Sequence, residues 1–178
     1  MADIQGKQQI EQWTGLKVGE TLFDTDVHDH RQGSSLLNKN ILEKKQLLFY
    51  IDSFDGEIFG YYSNTPIGPR LNCQNATDSK SFLFNVQSQG NRLPGPMKFE
   101  VKNLKEGGHY LYPDSEEMLI QIGEIQLYKQ HKRSQTCCVQ HDDIFDYHGI
   151  ENALNGAYPN VFDCMMFIPM RIRVIQMK

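Results

Sequence analysis

Two short apolar runs separated by an Asp-Gly pair constrain the fold of this chain more than any other feature. The first run, Leu47 to Ile51, is bounded by polar residues and has the length of a buried strand. The second contains Ile58, Phe59 and two tyrosines. Gly56 lies between the runs and can adopt the positive φ that a tight hairpin turn requires. The runs therefore predict a central β-hairpin with large side chains on both faces, which needs a covering layer on each side.

The remainder of the chain is read as supplying those layers. Short apolar segments separated by turn residues predict further strands over 19–24, 81–87, 97–102, 110–112, 118–122, 125–128, 135–139 and 170–177. The strand over 81–87 is expected to be half-buried, because its large apolar residues alternate with its other residues. Residues 142–162 are expected to be irregular. With no repeat and no linker, the pattern predicts one domain over 1–178, a mainly β, two-layer antiparallel β-sandwich with helices at its edges or faces.

Two short helices are predicted, over 4–14 and 35–42. Ile10 and Trp13 lie three residues apart on one face of the first helix. Gly15 follows that helix and is predicted to end it in a left-handed conformation. Trp13 is the only tryptophan of the chain and is expected to pack the helix onto the sandwich.

Composition narrows the class of protein. Of the 178 residues 39% are hydrophobic and 22% charged, which is typical of a soluble globular domain. The net charge of −4 argues against a nucleic-acid or anionic-membrane surface. No apolar run approaches the ~20 residues of a membrane span. Residues 1–13 lack the apolar segment of a secretory signal, so we expect a cytoplasmic location, with the nucleus as the alternative, and reduced cysteines.

Two residue groups suggest metal binding, and neither has a complete ligand pattern. Cys137 and Cys138 lie near His141 and His148, but adjacent cysteines on a strand point to opposite faces and structural zinc usually takes paired ligands at both ends. An acidic segment that begins at Asp24 lacks the Gly and Glu of a calcium loop. We therefore assign no metal ligand.

Recognised catalytic signatures are missing from the sequence. No GxSxG, phosphate loop or dinucleotide fingerprint occurs. A Cys–His pair remains open, because its members need not be adjacent in sequence. Two small basic clusters, at 130–133 and at Arg171 with Arg173, are read as solvated faces. No catalytic or cofactor-binding residue is assigned, and the reading leans against an enzyme.

The central stretch also carries a family resemblance. FDGEIFGYYSNTPI at 54–67, followed by SFLF at 81–84, resembles the TLDc domain of the oxidation-resistance family. The matching motif positions, to which the resemblance gives a structural role, are Gly56, Phe59, Gly60, Tyr62, Phe82 and Phe84. Tyr61 stands where the family has the second glycine of a pair. IEQWTGL, FDYHGIENALNG and the terminal RIRVIQM resemble compact, single-domain members found in protists, so the resemblance covers roughly 10–178.

The resemblance implies two antiparallel sheets flanked by helices and a non-enzymatic, protein-binding role. It implies a part in oxidative-stress resistance, and partners that include the peripheral part of the vacuolar proton pump. Two alternatives stay open. One is a thiol-based redox enzyme or scavenger that uses Cys137 or Cys138. The other is a nucleic-acid-associated stress regulator, which the negative net charge disfavours.

Overall fold

A computed structural model gives the architecture for residues 2–29, 35–68, 77–89, 93–129, 134–136, 141–154 and 165–178. Within these residues the helices are α1 (Ala2–Thr14) and α2 (Ser35–Ile41). The strands there are β1 (Val18–Asp24), β2 (Leu47–Ser53), β3 (Ile58–Ser63), β4 (Phe82–Gln87), β5 (Met97–Glu100), β6 (His109–Leu111), β7 (Met118–Ile122), β8 (Ile125–Tyr128), β9 (Ser134–Thr136), β10 (Met165–Phe167) and β11 (Pro169–Met177).

The predicted central hairpin is formed by β2 and β3. The two strands pair antiparallel from Leu47 opposite Ser63 to the Asp52–Ile58 pair. Gly56 adopts φ 82° in the turn, and its N–H donates to the Ser53 carbonyl at 3.0 Å. The turn thus uses the left-handed conformation that glycine adopts at no steric cost. The hairpin prediction is confirmed.

The described strands form two antiparallel sheets. One has six strands in the order β1-β11-β2-β3-β4-β5, and the other has five in the order β10-β9-β8-β7-β6. Strand β11 lies between β1 and β2, in the interior of the larger sheet. This arrangement confirms the predicted mainly β antiparallel fold with flanking helices.

The main hydrophobic core lies between the two sheets. Phe49, Phe59 and Leu83 contribute from the larger sheet, and Ile120 and Phe167 from the smaller one. The rings of Phe59 and Phe167 meet edge to face at 4.9 Å. This core holds the two layers together, since apolar burial is the dominant favourable contribution to folding.

A second apolar cluster lies on the opposite, outer face of the six-stranded sheet. Its fully buried members include Leu48 and Tyr50 of β2 and Phe84 of β4, and α1 covers them with Ile10. Gly15 ends the helix with φ 71°, and its N–H donates to the Glu11 carbonyl at 2.9 Å. The predicted helix, its glycine cap and its docking onto the sandwich are all present.

Strand β4 corrects one expectation. It was expected to be half-buried, yet Phe82, Leu83, Phe84 and Asn85 are all buried. Phe82 and Phe84 belong to the outer cluster, whereas Leu83 belongs to the core between the sheets. The prediction was wrong because alternation in sequence does not show that both faces are covered, here one by α1 and the other by the second sheet.

Strand boundaries differ from the predictions by one to three residues, and β7 and β8 match them. The strand β10 was not predicted, and β9 ends at Thr136 within the described part of the chain. The segment 142–154 contains turns and one isolated bridge, between Val101 and Phe145. Its backbone closes the free edge of β5, where the Asp146 N–H donates to the Glu100 carbonyl at 2.9 Å.

Candidate functional site

A groove opens on the outer face of the six-stranded sheet beside the C-terminal end of α1. It has a volume of about 400 Å³, and we call it the Trp13 groove. One wall is formed by Trp13 and Thr14 at the end of α1 and by Leu16 just beyond it. The floor follows a cross-strand row in which Tyr62 of β3 faces Phe82 of β4 and Phe82 faces Glu100 of β5. The groove exists because α1 crosses only part of the sheet.

Three aromatic rings shape the groove. Trp13 is half-buried and meets Phe82 edge to face, with ring centroids 5.9 Å apart. Tyr62 and Phe82 lie 5.2 Å apart at a tilt of 35°. Such pairs contribute about 0.5–1.5 kcal/mol beyond the area they bury. The rings therefore hold the end of α1 in place and leave one side of Trp13 at the surface.

Charged side chains also border the groove. The Lys98 Nζ atom lies 5.5 Å above the Phe82 ring and 2.7 Å from a Glu100 carboxylate oxygen. Lys80 is exposed and makes no ion pair with a carboxylate of the residues described here. Among the described residues, one ammonium group of this border is thus paired with a carboxylate and the other is not.

A buried polar cluster lies around Tyr61, between the two sheets. The Tyr61 hydroxyl lies 3.3 Å from His109 Nδ1 and 3.2 Å from Thr77 Oγ1. The His109 Nε2 atom lies 3.2 Å from the Pro66 carbonyl oxygen and 3.3 Å from Ser63 Oγ. Tyr61 and Ser63 have no solvent exposure, so these groups satisfy one another inside the protein.

Burial shifts the ionisation of this cluster strongly. Loss of solvation lowers the pKa of His109 to about 4, so the imidazole is neutral near pH 7. The same effect raises the pKa of the Tyr61 phenol to about 12. A serine beside a histidine is the composition of a nucleophile with its general base. Here, however, Ser63, His109 and Tyr61 are buried, so a substrate cannot reach them.

A buried carboxyl group lies in the turn between β7 and β8. Glu124 accepts hydrogen bonds from the Tyr147 hydroxyl and from the backbone N–H of His141 at 3.0 Å. His141 Nδ1 lies 2.8 Å from the same carboxylate. Glu124 thus joins this turn to the segment that closes β5, which is a structural role.

Arg173 of β11 links α1 to the sheet. Its guanidinium group donates to Asp3 of α1 and to Asp52 of β2, each at 2.9 Å, and stacks 4.9 Å from the centre of the Tyr50 ring. Burial raises the pKa of Asp52. Burial also opposes ionisation of Asp3, but hydrogen bonds from Arg173 and Lys7 outweigh it and lower the pKa of that carboxyl. The sequence had suggested a solvated face here, which is wrong for Arg173, since it is only 7% exposed.

The six family-motif residues occupy four environments. Gly56 forms the hairpin turn, and Phe59 lies in the core between the sheets. Tyr62, Phe82 and Phe84 lie in the outer cluster, where Tyr62 and Phe82 also line the Trp13 groove. Gly60 lies where a side chain would overlap the Phe49 carbonyl. The motif is therefore distributed over both faces of the hairpin.

The structure describes only some of the residues that the sequence suggested for metal binding or thiol chemistry. All four cysteines lie outside the described residues, including Cys137 and Cys138. Across the described part of the chain, no group of three or more His, Cys, Asp or Glu is placed to hold a metal ion. Asp24 and Asp26 contact Arg171, at 2.6 and 3.0 Å.

Sequence reasoning missed both the Trp13 groove and the Tyr61 cluster. The Tyr61–His109 contact joins residues 48 positions apart. For the Tyr61 cluster, the signal in the sequence was the tyrosine at the position of the family's second glycine, because residues opposite it must make room for so large a side chain. For the groove, the lone tryptophan next to the glycine cap was the signal.

The comparison with protein families agrees with this architecture. The family model of the TLDc domain matches residues 16–101, from the end of α1 to just past β5. This match supports the assignment of a TLDc domain to these residues. A search of curated proteins found no significant match. Across the described residues, no helix is long and apolar enough to cross a membrane.

Proposed function

We propose that this chain is a protein-interaction domain that acts in resistance to oxidative stress without a catalytic nucleophile of its own. Its partners on this proposal include the peripheral part of the vacuolar proton pump, and its location is the cytoplasm, with the nucleus as the alternative. The observation that carries the proposal is the Trp13 groove. Its surface combines tryptophan, tyrosine and two lysines, and aromatic residues are enriched where proteins bind proteins.

The TLDc match over residues 16–101 supports the proposal, because that family is associated with binding other proteins. The buried titratable groups support it as well. His109 and Glu124 are both less than 5% exposed and are hydrogen-bonded within the fold. Their geometry suits a rigid scaffold that presents a surface.

The test compares two variants for protection of cells against peroxide. In the first, all four cysteines are changed to Ser or Ala. In the second, Gly56→Val places a β-branched residue at φ 82° in the hairpin turn, which strains the fold. We expect the cysteine-free variant to protect like the wild type and the Gly56→Val variant to lose protection. Circular dichroism of both proteins shows which of them is folded.

The competing reading is a thiol-based enzyme that uses Cys137 or Cys138. It predicts that purified wild-type protein consumes peroxide catalytically and that the folded cysteine-free variant loses all protection. That pair of results would overturn the proposal.

Pump binding is tested by capture of pump subunits from native lysate with and without peroxide. Location is tested by imaging of a tagged chain. Absence of the peripheral subunits from both captures would remove the pump from the proposal.

A further inference from the structure

We propose that the Trp13 groove binds an acidic peptide segment of a partner protein, with one apolar side chain lying against Trp13 and the peptide carboxylates on Lys80 and Lys98. The inference rests on the proposed function, because it names the surface and the chemistry by which an interaction domain of this kind would recognise its partner.

The size and lining of the groove suit one anchoring side chain. Its volume of about 400 Å³ lies at the lower end of the range for ligand sites. Trp13 is half-buried, and its ring is fixed by the edge-to-face contact with Phe82. Tryptophan is one of the residue types enriched among the side chains that dominate binding at protein interfaces. An apolar side chain of the partner would therefore gain contact area at little entropic cost.

The charges select an acidic partner. The chain as a whole carries a net charge of −4, yet two lysines border this groove. Lys80 has no carboxylate partner in the described part of the chain. Lys98 pairs with Glu100, but the two side chains are 29% and 45% exposed, so this pair is weak and exchangeable. A carboxylate of the partner can replace Glu100 on Lys98 without leaving a charge buried.

Lys98 also covers the aromatic floor. Its ammonium group lies 5.5 Å above the Phe82 ring, which is only 3% exposed. Movement of Lys98 toward a bound carboxylate would uncover that ring beside Trp13. Charge recognition and insertion of an apolar anchor are thus linked through one side chain.

Recognition by strand addition at the adjacent edge is blocked. The outer edge of β5 is already used, because the Asp146 N–H donates to the Glu100 carbonyl at 2.9 Å and His148 Nε2 donates to the Lys98 carbonyl at 3.1 Å. A peptide can therefore reach β5 only over its outer face. Side chains, rather than backbone pairing, then supply the specificity.

The test uses Trp13 as its own reporter. It is the only tryptophan of the chain, so its indole N–H gives a single NMR resonance. The probe is the blocked pentapeptide acetyl-Glu-Asp-Leu-Glu-Asp-amide. Matched controls carry Gln and Asn in place of the acids, or Ala in place of Leu. We expect a saturable shift of the indole resonance with the acidic probe, weaker binding at high salt, and at least about tenfold weaker binding of both controls.

Three variants make the charge argument specific. Lys80→Glu should weaken binding of the acidic probe by about threefold to tenfold. Glu100→Gln should strengthen it, because the competing carboxylate is removed from Lys98. Lys39→Glu changes an exposed lysine on α2, away from the groove lining, and should leave affinity unchanged. If the groove bound the probe only by hydrophobic contact, Lys80→Glu and Glu100→Gln would not change the affinity in opposite directions.

The inference is overturned if the acidic probe gives no saturable shift, if the neutral probe binds equally well, or if folded Glu100→Gln weakens binding. It is also overturned if pump subunits are captured equally by wild type and by Lys80→Glu, because the partner then binds elsewhere while the proposed function stands. If the probe binds as expected but the wild type neither captures pump subunits nor protects cells, the proposed function fails and the peptide groove remains.

Discussion

A side chain on Gly60 would overlap the backbone carbonyl oxygen of Phe49 on the neighbouring strand. The same Cβ atom would lie 2.9 Å from the ring of Phe84, so the clash involves both the backbone and the outer cluster. Gly60 therefore maintains the close approach at the centre of the sheet. The following position, where the family has a second glycine, carries Tyr61, which points into the core between the sheets.

Gly60→Ala should destabilise the protein by at least roughly 3 kcal/mol, because the strands must separate or shift to admit a methyl group. Urea unfolding monitored by circular dichroism measures the change. The matched control is Gly68→Ala, since a Cβ there meets no heavy atom within 4 Å. Equal losses in the two variants would show that close packing at Gly60 is not the cause.

Tyr61→Gly restores the family residue and should nevertheless destabilise this protein, by roughly 4 kcal/mol. Tyr61 is fully buried, so its removal leaves a cavity between the sheets. Tyr61→Phe keeps the ring and should cost only about 1–2 kcal/mol, for the hydrogen bonds lost around His109. Both values come from urea unfolding, and a Tyr61→Gly variant as stable as the wild type would contradict the assignment of this ring to the core.

Trp13→Ala should lower the free energy of unfolding by about 2 kcal/mol, less than the ~3–5 kcal/mol of a fully buried aromatic residue. The reason is that Trp13 is half-buried and packs on Phe82 through one edge. Thermal unfolding followed by circular dichroism checks the prediction. Ile4→Ala on the same helix is the control, because Ile4 is 63% exposed and its loss should leave the melting temperature nearly unchanged.

His109 should make stability depend on pH between about 6.5 and about 4. Its folded-state pKa is lowered from 6.5 to about 4, so the unfolded chain binds a proton in this window that the folded protein does not. The contribution of His109 to the free energy of unfolding is therefore fully present above the pKa that this residue has in the unfolded chain. It decreases as the pH falls toward the folded-state pKa, by roughly 3 kcal/mol at most.

Urea unfolding at a series of pH values across that window measures the effect of His109. His109→Gln should flatten the dependence, whatever its own stability at neutral pH. His148→Gln, at a histidine whose side chain is 42% exposed, should keep the wild-type slope. Identical slopes in all three proteins would assign the pH dependence to other groups.

Arg173→Met should cost roughly 2–4 kcal/mol, because it leaves the carboxylate of Asp52 without its partner in a largely buried position. Asp3→Asn should cost less than ~1 kcal/mol, since the Asp3 side chain is 42% exposed. Chemical unfolding compares the two. The double variant Arg173→Met with Asp52→Leu should recover part of the loss, and no recovery would show that an unpaired carboxylate is not the reason for it.

Much of the fold was predictable from short stretches of sequence. The hairpin turn at Gly56, the helix cap at Gly15 and the bounds of β7 and β8 each depend on residues within a few positions of one another. Turn conformation and alternation of apolar residues operate on that same scale. The TLDc motif also consists of residues close together in sequence, so the resemblance to the family could be recognised without knowledge of the strand pairing.

The candidate site was less predictable, because its contacts join distant parts of the chain. Arg173 meets Asp3 across 170 positions, and Tyr61 meets His109 across 48. Nothing in the alternation of β11 indicates that one of its two arginines is buried beneath the first helix. The prediction of a single domain over 1–178 stays a prediction.

Local sequence was sufficient for most of the strands, for the hairpin turn and for the family resemblance, since each follows from the side-chain period and the backbone preferences of neighbouring residues. Packing of the assembled layers decided which faces of those strands are covered. Because α1 crosses only part of the larger sheet, Phe84 is enclosed while the row from Tyr62 to Glu100 borders an open groove. The position of a helix over a sheet depends on contacts summed over the whole fold, so the groove exists only in the tertiary structure.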